Sequence, residues 1–333
     1  MKEMQNPYLM FLGDVADQLA AKTAKGIVDW RPDWCLGQMK LEGCKADLGI
    51  PDMGIREAVE NGARTMIVGI VNSGGFLPEH WISAIVEALD AGMDVASGLH
   101  IRLGSIPELK AAAERNGRTL FDVRHPTQTI PTGKGTPRSG KRLLAVGTDC
   151  SIGKMYTALA LEKEMLARGM KADFRATGQT GIFIAGSGIS VDAVVADFIS
   201  GAVEMLSPAN DADHWDLIEG QGSLFHASYA GVSLGLLHGA QADALILCHE
   251  PTRTHMRGLP HMPIPGLKEC MELNLTCARL TNKKAAFYGV AINSSGLKEG
   301  EREEYLAKIE KELGLPTVDP FRDGTARIVD NLP

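Results

Sequence analysis

The sequence predicts an α/β protein with two domains, each built on a doubly wound parallel sheet. The first observation is its length of 333 residues, about twice that of a typical domain. The second is that strand-like and helix-like segments alternate on both sides of residues 126–141. The third is that this segment, PTQTIPTGKGTPRSGK, is rich in proline and glycine and cannot bury an apolar face. We therefore predict one domain over 1–125, a linker over 126–141 and a second domain over 142–333.

The elements follow from apolar periodicity. The run TMIVGIVN (65–72) is typical of a buried parallel strand, and LPEHWISAIVEALDAG (77–92) has apolar residues at helical spacing. The other strands predicted in the first domain are 8–15, 34–38, 93–99 and 119–125, and the other helix is 107–117. In the second domain, strands are predicted over 142–147, 170–176, 216–220, 244–250 and 285–293, and helices over 153–169, 191–206, 228–239, 267–280 and 299–314.

Composition favours a cytoplasmic protein and disfavours several classes of partner. The net charge is −7 and aromatic residues make up 5%, which disfavours a nucleic-acid partner. No apolar run approaches the roughly 20 residues that span a membrane, so no membrane association is expected. The six cysteines form no CxxC pair, and we predict neither disulfides nor a zinc site. A homo-oligomer is the usual state of an enzyme of this size.

The segment RLLAVGTDCSIGKM (142–155) predicts a phosphate-binding loop. A buried strand ends at Gly147, and an amphipathic helix begins at Gly153 and Lys154. In this arrangement backbone N–H groups and the helix N-terminus converge on an anion, and the lysine adds a point charge. The predicted cofactor-binding residues are Asp149, Cys150, Ser151, Ile152, Gly153, Lys154, Met155 and Tyr156.

The residue after the loop lysine departs from the usual pattern. A serine or threonine hydroxyl normally binds magnesium at this position, whereas Met155 offers only a thioether. We therefore predict that a phosphate or pyrophosphate is held but not cleaved, and that no metal is required. Ser151 and Thr157 remain alternative sources of a hydroxyl.

Three residues are candidate catalytic bases. Glu219 lies in EGQGSL, at the end of a predicted strand, where open α/β sheets bind their ligands. His226 follows on the same segment, and its role as a base or as a packed core histidine stays open. His249 ends the next predicted strand.

The predicted substrate-binding residues are mostly charged or polar and lie in loops. The stretch 249–261 contains arginines that suit a carboxylate or phosphate, while its histidine spacing fits no standard metal motif. Gln221 adjoins Glu219, and Ser73 lies in GIVNSGG (69–75) at a predicted strand end. The candidates for substrate binding are Arg31, Ser73, Gln221, Glu250, Arg253 and Arg257.

The chain resembles a bacterial family of D-glutamate N-acetyltransferases over nearly its whole length. That family has a Rossmann-like N-terminal domain and a P-loop NTPase-like C-terminal domain. The resemblance rests on GDVADQLAAKTAKGI, WRPDWCLGQ, GIVNSGG, DVASGLH, GTDCSIGKM, TGQTGIFIAGSGI, EGQGSL and CHEPTRTHMRG. It implies acetyl-CoA as the donor, D-glutamate as the acceptor and a role in D-glutamate catabolism.

Several alternatives remain open from the residues. Direct attack by the substrate amine is the simplest reaction, while a Cys150 acyl-enzyme would require that the loop stabilise its thiolate. The phosphate loop is also similar to that of dethiobiotin synthetase, which implies an ATP-dependent ligase or kinase as the second function. A nucleotide-binding regulatory module is a third, and a nicotinamide oxidoreductase is disfavoured because GxGxxG is missing.

Overall fold

A computed structural model describes residues 4–71 and 75–333, and the chain forms two compact units. The first comprises residues 1–127 and 179–193, and the second comprises 128–178 and 194–333. Each unit contains an all-parallel main sheet with helices, which confirms the predicted α/β class. In the described part of the chain, no helix has the length and apolar character that crossing a membrane requires.

The first unit is built on a five-stranded sheet in the order β2-β1-β3-β4-β5. The interior strand between β2 and β3 has the sequence YLMFLG and is buried throughout, because both of its faces are covered. The strands are β1 Tyr8–Gly13, β2 Cys35–Lys40, β3 Thr65–Val68, β4 Asp94–Ser97 and β5 Leu120–Asp122; the helices are α1 Lys22–Trp30, α2 Ile55–Glu60, α3 Ile82–Asp90 and α4 Pro107–Asn116.

The second unit is built on a six-stranded parallel sheet in the order β13-β12-β9-β6-β8-β7, together with a short antiparallel hairpin of β10 and β11. The strands are β6 Lys141–Gly147, β7 Ala172–Arg175, β8 Trp215–Ile218, β9 Ala244–His249, β10 His255–Met256, β11 Leu259–Pro263, β12 Ala286–Ile292 and β13 Thr317–Val318. The helices from this half of the chain are α5 Lys154–Ala167, α6 Gln179–Ala185, α7 Ile199–Leu206, α8 Ala230–Ala240, α9 Leu267–Ala278, α10 Glu299–Leu313 and α11 Ala326–Asp330.

Strand order in the second sheet determines where a ligand can bind. Strand β6 lies between β8 and β9: the chain runs from β6 to β7 and β8 on one side of it and then crosses to β9 on the other. At such a switch point the loops after the strands diverge and leave a crevice at the carboxyl edge. The loop after β6 therefore opens into the crevice where open α/β sheets bind ligands.

The segment 179–193 packs with the first unit, although sequence analysis places it in the second domain. Helix α6 contacts α1, where Thr180 Oγ1 donates to Thr23 Oγ1 at 3.3 Å. The prediction of one helix over 191–206 is wrong. Asp192 instead accepts from Ser190 Oγ and pairs with Arg124, and short 3₁₀ turns precede α7.

Most of the segment predicted as a linker packs onto the second unit. The guanidinium of Arg138 donates to Gly239 O at 2.6 Å, and burial lowers the pKa of Arg138 to about 10. The backbone N–H groups of Lys134 and Gly135 donate to the carboxylate of Glu204 at 3.0 and 2.8 Å. These bonds satisfy a backbone carbonyl near the carboxyl end of α8 and a carboxylate near that of α7. The segment is therefore packed against both helices.

This packing predicts that Gly201→Ala destabilises the second unit. A Cβ at Gly201 would lie 1.8 Å from Pro131 O, a backbone atom that cannot move without shifting the segment. We expect a loss of about 1–3 kcal/mol in the free energy of unfolding, measured by urea denaturation. Gly231→Ala is the matched control, because no atom lies within 4 Å of its Cβ position. Equal stability of the two variants would contradict the packing of residues 128–140.

Candidate functional site

The loop between β6 and α5 has the shape of an anion-binding nest. Ser151 and Gly153 have positive φ angles of 53° and 105°, which turn successive N–H groups to one side. Among the residues that the structure describes, none accepts a hydrogen bond from the N–H groups of residues 151–154. Gly147 allows the loop to close, because a Cβ there would lie 2.6 Å from Ile152 Cδ1. The loop can therefore receive an anion without rearranging its backbone.

Lys154 lies at the base of this loop with only 5% of its surface exposed. Its Nζ donates to Asp149 O at 2.6 Å, and burial lowers its pKa. Gly220 packs against the aliphatic part of the side chain, with its Cβ position 2.9 Å from Lys154 Cδ. The glycine-rich turn after β8 and the phosphate loop are therefore in direct contact.

The carboxylate of Asp149 is fully buried and joins the loop to the segment around β10. Oδ1 accepts from Cys150 N at 2.7 Å, and Oδ2 accepts from Arg253 Nη1 and Arg257 N, both at 2.8 Å. Burial alone would raise the pKa of Asp149, but these donors outweigh it and the pKa is lowered. The ionised side chain therefore connects the loop to the β10 segment by hydrogen bonds.

Arg253 and Glu250 were both predicted to bind substrate; Arg253 contacts the phosphate loop, and Glu250 pairs with Arg253. Arg253 Nη1 donates to Cys150 O at 2.7 Å, and its Nη2 donates to Ser151 O at 3.4 Å and Glu250 Oε2 at 2.6 Å. Two loop carbonyls are thereby held on the side of the guanidinium. This geometry turns the N–H groups of the loop away from Arg253.

His249 is buried at the end of β9, beside the loop. Its Nδ1 lies 3.0 Å from Thr148 Oγ1, and its ring stacks on Tyr305 with a centroid separation of 6.3 Å. Burial, with a smaller contribution from Arg253, lowers the pKa of His249 to about 4. The imidazole is therefore neutral at pH 7.

His226 uses both ring nitrogens on the backbone. Nδ1 accepts from Ser228 N at 3.2 Å, and Nε2 lies 3.0 Å from Arg257 O. Because Nδ1 accepts, the neutral ring carries its proton on Nε2 and donates it to that carbonyl. The ring also stacks on Tyr229 at 4.4 Å. In this structure His226 anchors the chain at Arg257.

Glu219 lies at the carboxyl end of β8 and is 4% exposed. Its Oε2 accepts from Thr177 N at 2.8 Å and Gly178 N at 3.0 Å. Gln221 Nε2 donates to Thr177 Oγ1 at 3.1 Å, so the turns after β7 and β8 are joined. Thr177 was not singled out from the sequence, although its position directly after a predicted strand was a usable signal.

The surroundings of Cys150 do not favour the thiolate that an acyl-enzyme on this residue would require. Burial, together with the negative charge of Asp149, raises the pKa of Cys150. Lys154 and Arg257 lower it by less than these effects raise it. The thiol form is therefore favoured at neutral pH, which disfavours an acyl-enzyme on this residue.

Thr157 and the acidic groups that could bind a metal near the loop are already engaged by protein partners. Thr157 Oγ1 donates to Gly153 O at 2.9 Å and accepts from Cys248 Sγ, so this hydroxyl does not replace the one missing at Met155. Asp149, Cys150 and His226 lie close enough to share a metal. However, the carboxylate and imidazole of this group are already bound to the donors and acceptors described above. A second such group, Asp173, His214 and Asp216, is bridged by the guanidinium of Arg175.

Three predicted site residues remain. Arg31 belongs to the first unit, where its guanidinium lies 5.4 Å from the Trp34 ring and donates to Trp30 O. Ser73 lies outside the described residues. Tyr156, in the first turn of α5, lies 6.4 Å from the Phe321 ring. The other predicted site residues lie in the second unit, on or next to the turns around the loop.

The two sheets and the phosphate loop define a protein with a Rossmann-like and a P-loop domain. Residues 39–126 match the family model described as the DUF1611_N Rossmann-like domain, and residues 129–329 match the DUF1611_C P-loop domain. The chain belongs to this DUF1611 family. These matches confirm the fold predicted for each half of the chain.

The similarity to known relatives covers nearly the whole chain. A D-glutamate N-acetyltransferase from Tritonibacter scottomollicae is 55% identical over 329 residues, which cover 99% of each chain. A D-glutamate N-acetyltransferase from a Pseudoalteromonas species is 48% identical over 330 residues, again 99% of each. The crystal structure of a DUF1611 family protein from Anabaena variabilis is 31% identical, covers 98% of this chain and 99% of its own, and superposes with a TM-score of 0.87. The family resemblance inferred from the sequence is confirmed.

Burial of His249 predicts a specific pH dependence of stability. Its pKa falls from the usual 6.5 to about 4, so between these values the unfolded chain binds a proton that the native chain does not. The free energy of unfolding should therefore fall as the pH is lowered from 6.5 to 4, by about 3 kcal/mol from this group. His249→Gln should lack this component in urea titrations at each pH.

His261→Gln serves as the control because His261 is exposed on β11. Its pH dependence should follow that of the wild type. A His249→Gln variant with the same pH dependence as the wild type would contradict the proposed environment of His249.

Proposed function

We propose that this protein transfers the acetyl group of acetyl-CoA to the amine of D-glutamate, in D-glutamate catabolism. The two relatives named above support this reaction. The observation that carries it in this chain is Met155, which follows Lys154 in an otherwise complete phosphate nest. A loop that binds phosphate without supplying a magnesium ligand suits a donor whose phosphates stay intact.

Acetyl-CoA fits this loop by its chemistry. It carries a pyrophosphate and a ribose phosphate, which accept hydrogen bonds from backbone N–H groups at a helix N-terminus. Lys154 adds one positive charge at the base of the nest. An acetyl transfer breaks the thioester and no phosphate ester, so no metal is needed to stabilise a leaving phosphate.

Glu219 is the base that we propose for the acceptor amine. The amine attacks the thioester carbonyl, an N–C bond forms, the C–S bond breaks, and the CoA thiol leaves. Glu219 removes one proton from the ammonium group before attack, and the proton that the nitrogen loses after attack passes to the leaving sulfur to give the CoA thiol. Its position is supported by Gly220, which packs directly on Lys154. The N–H groups of the turn 220–222 are the proposed donors to the thioester oxyanion.

The two histidines are weaker candidates for this role. The ring nitrogens of His226 are engaged with Ser228 N and Arg257 O. His249 is engaged with Thr148 through Nδ1, and its buried ring stacks on Tyr305. We therefore assign both histidines to the support of the loop.

The proposed donor also favours a particular cellular location. Acetyl-CoA is made and used in the cytoplasm, and the six cysteines are free thiols. We propose a cytoplasmic enzyme that acts as a homo-oligomer.

The reaction should proceed without a divalent metal. We expect the purified protein to release CoA thiol from acetyl-CoA when D-glutamate is added, at the same rate with and without excess EDTA. Thiol release is followed with a chromogenic disulfide, and N-acetyl-D-glutamate by mass spectrometry. L-glutamate is the control acceptor. Activity that requires magnesium and ATP would contradict the proposal and favour a ligase or kinase.

Glu219→Gln should lower kcat by roughly 10²–10⁴-fold, the range for a positioned base. The amide keeps an oxygen for Thr177 N and Gly178 N but cannot take up the ammonium proton. The KM for acetyl-CoA should change less than threefold, because the residue acts on the amine. Both constants are measured by thiol release.

Glu250→Gln is the matched control, since this carboxylate also lies beside the loop but contacts Arg253. It should affect the KM for acetyl-CoA more than kcat. A Glu219→Gln variant with near-normal kcat would remove Glu219 from the chemistry.

A further inference from the structure

We infer that Arg257 binds a phosphate group of the acyl donor, as a second cation beside the phosphate loop. Sequence analysis placed it among the substrate-binding candidates and left both a carboxylate and a phosphate open as its ligand. The inference rests on the proposed acetyl-CoA donor and adds a residue that selects for the phosphorylated part of that donor. His226 and Asp149 act as positioning residues for it.

The backbone of Arg257 is fixed on both sides by buried side chains. Its N–H donates to Asp149 Oδ2 at 2.8 Å, and its C=O accepts from His226 Nε2 at 3.0 Å. Asp149 is 0% exposed and His226 is 1% exposed. A surface arginine in a hairpin turn would otherwise be free to move with its loop. Here the backbone of Arg257 is held next to Asp149, two residues before the nest formed by residues 151–154.

The side chain of Arg257, by contrast, is exposed. Within residues 4–71 and 75–333, no carboxylate lies at ion-pair distance from its guanidinium. Arg253, four residues earlier, pairs with both Asp149 and Glu250. Arg253 therefore supports the loop, whereas the guanidinium of Arg257 is available to an anion from solution.

The donor is the anion that this position favours. Because Arg257 N is bonded to Asp149, the side chain starts at the edge of the nest formed by residues 151–154. A pyrophosphate carries more negative charge than one lysine neutralises, and the loop supplies no magnesium ligand at Met155. A guanidinium can bind two phosphate oxygens at once, which an ammonium cannot.

Binding of CoA measured by calorimetry, without metal, tests this inference directly. Arg257→Ala should weaken CoA binding about 10- to 100-fold, the loss expected for one charge-assisted contact. In the thiol-release assay the KM for acetyl-CoA should rise to a similar extent, and the KM for D-glutamate should change less than twofold. With S-acetylpantetheine, a donor without the nucleotide phosphates, kcat/KM should be the same in both proteins.

Lys283→Ala is the charge-matched control. Lys283 is exposed and precedes β12 at the amino edge of the same sheet, away from the loop. It removes one positive charge and should leave CoA binding unchanged. Equal losses in the two variants would mean that net charge, not a contact, explains the effect, and would overturn the inference.

The positioning role of His226 is tested by a double-mutant cycle. His226→Ala should weaken CoA binding in the wild type and have little further effect in Arg257→Ala, because both act through one contact. His226→Asn, which keeps an N–H donor, should restore part of the affinity. Additive losses would overturn this positioning role.

Two results would overturn the role of Arg257 itself. One is unchanged CoA binding in Arg257→Ala. The other is a raised KM for D-glutamate with CoA binding intact, which would return the residue to the acceptor. A wild-type protein that binds CoA but does not acetylate D-glutamate would instead refute the proposed function, and the calorimetry would still decide the inference.

Discussion

The buried carboxylate of Asp149 is the constraint on which the site depends. It is fully enclosed, yet three N–H groups keep it ionised, one from its own loop and two from the segment at β10. A buried charge is tolerated only when it is paired and hydrogen-bonded. The loop and the β10–β11 hairpin must therefore keep their relative positions. Removing either partner leaves an unpaired charge in the interior.

This constraint gives the site its electrostatic character. Arg253 neutralises Asp149 and also draws two loop carbonyls towards itself, so the N–H groups of the loop face the other way. We propose that the N–H dipoles of the loop, Lys154 and Arg257 bind the donor phosphates in the place that a magnesium ion has in phosphate-cleaving enzymes. Such an environment suits recognition of an intact phosphate. It is consistent with chemistry at a thioester some distance from the nucleotide.

The sequence was a good guide to elements set by local patterns. The alternation of apolar runs predicted the parallel sheets, and the Gly147–Lys154 spacing predicted the phosphate loop. Helix α6 was missed because TGQTGIFIAGSGI is rich in glycine, and its helix is stabilised by packing on α1. Its assignment to the first unit depends on contacts far apart in sequence.

Side-chain roles were harder to predict than positions. Asp149, His226 and Arg253 were all picked out from the sequence, and the structure gathers them at the loop. Their hydrogen-bond partners, however, are mainly backbone groups and one another. A sequence pattern does not predict these partners. The Cys150 acyl-enzyme stayed an open alternative for the same reason, since the effect of burial on the pKa of this thiol depends on the fold.

A crystal structure of the protein with CoA, grown without divalent metal, tests the central claim most directly. We predict that the pyrophosphate lies in the loop, with its oxygens accepting from the N–H groups of residues 151–154 and the Asp149–Arg253 pair intact beneath it. A pyrophosphate bound away from this loop would contradict the account. So would a pyrophosphate bound there only through a magnesium ion.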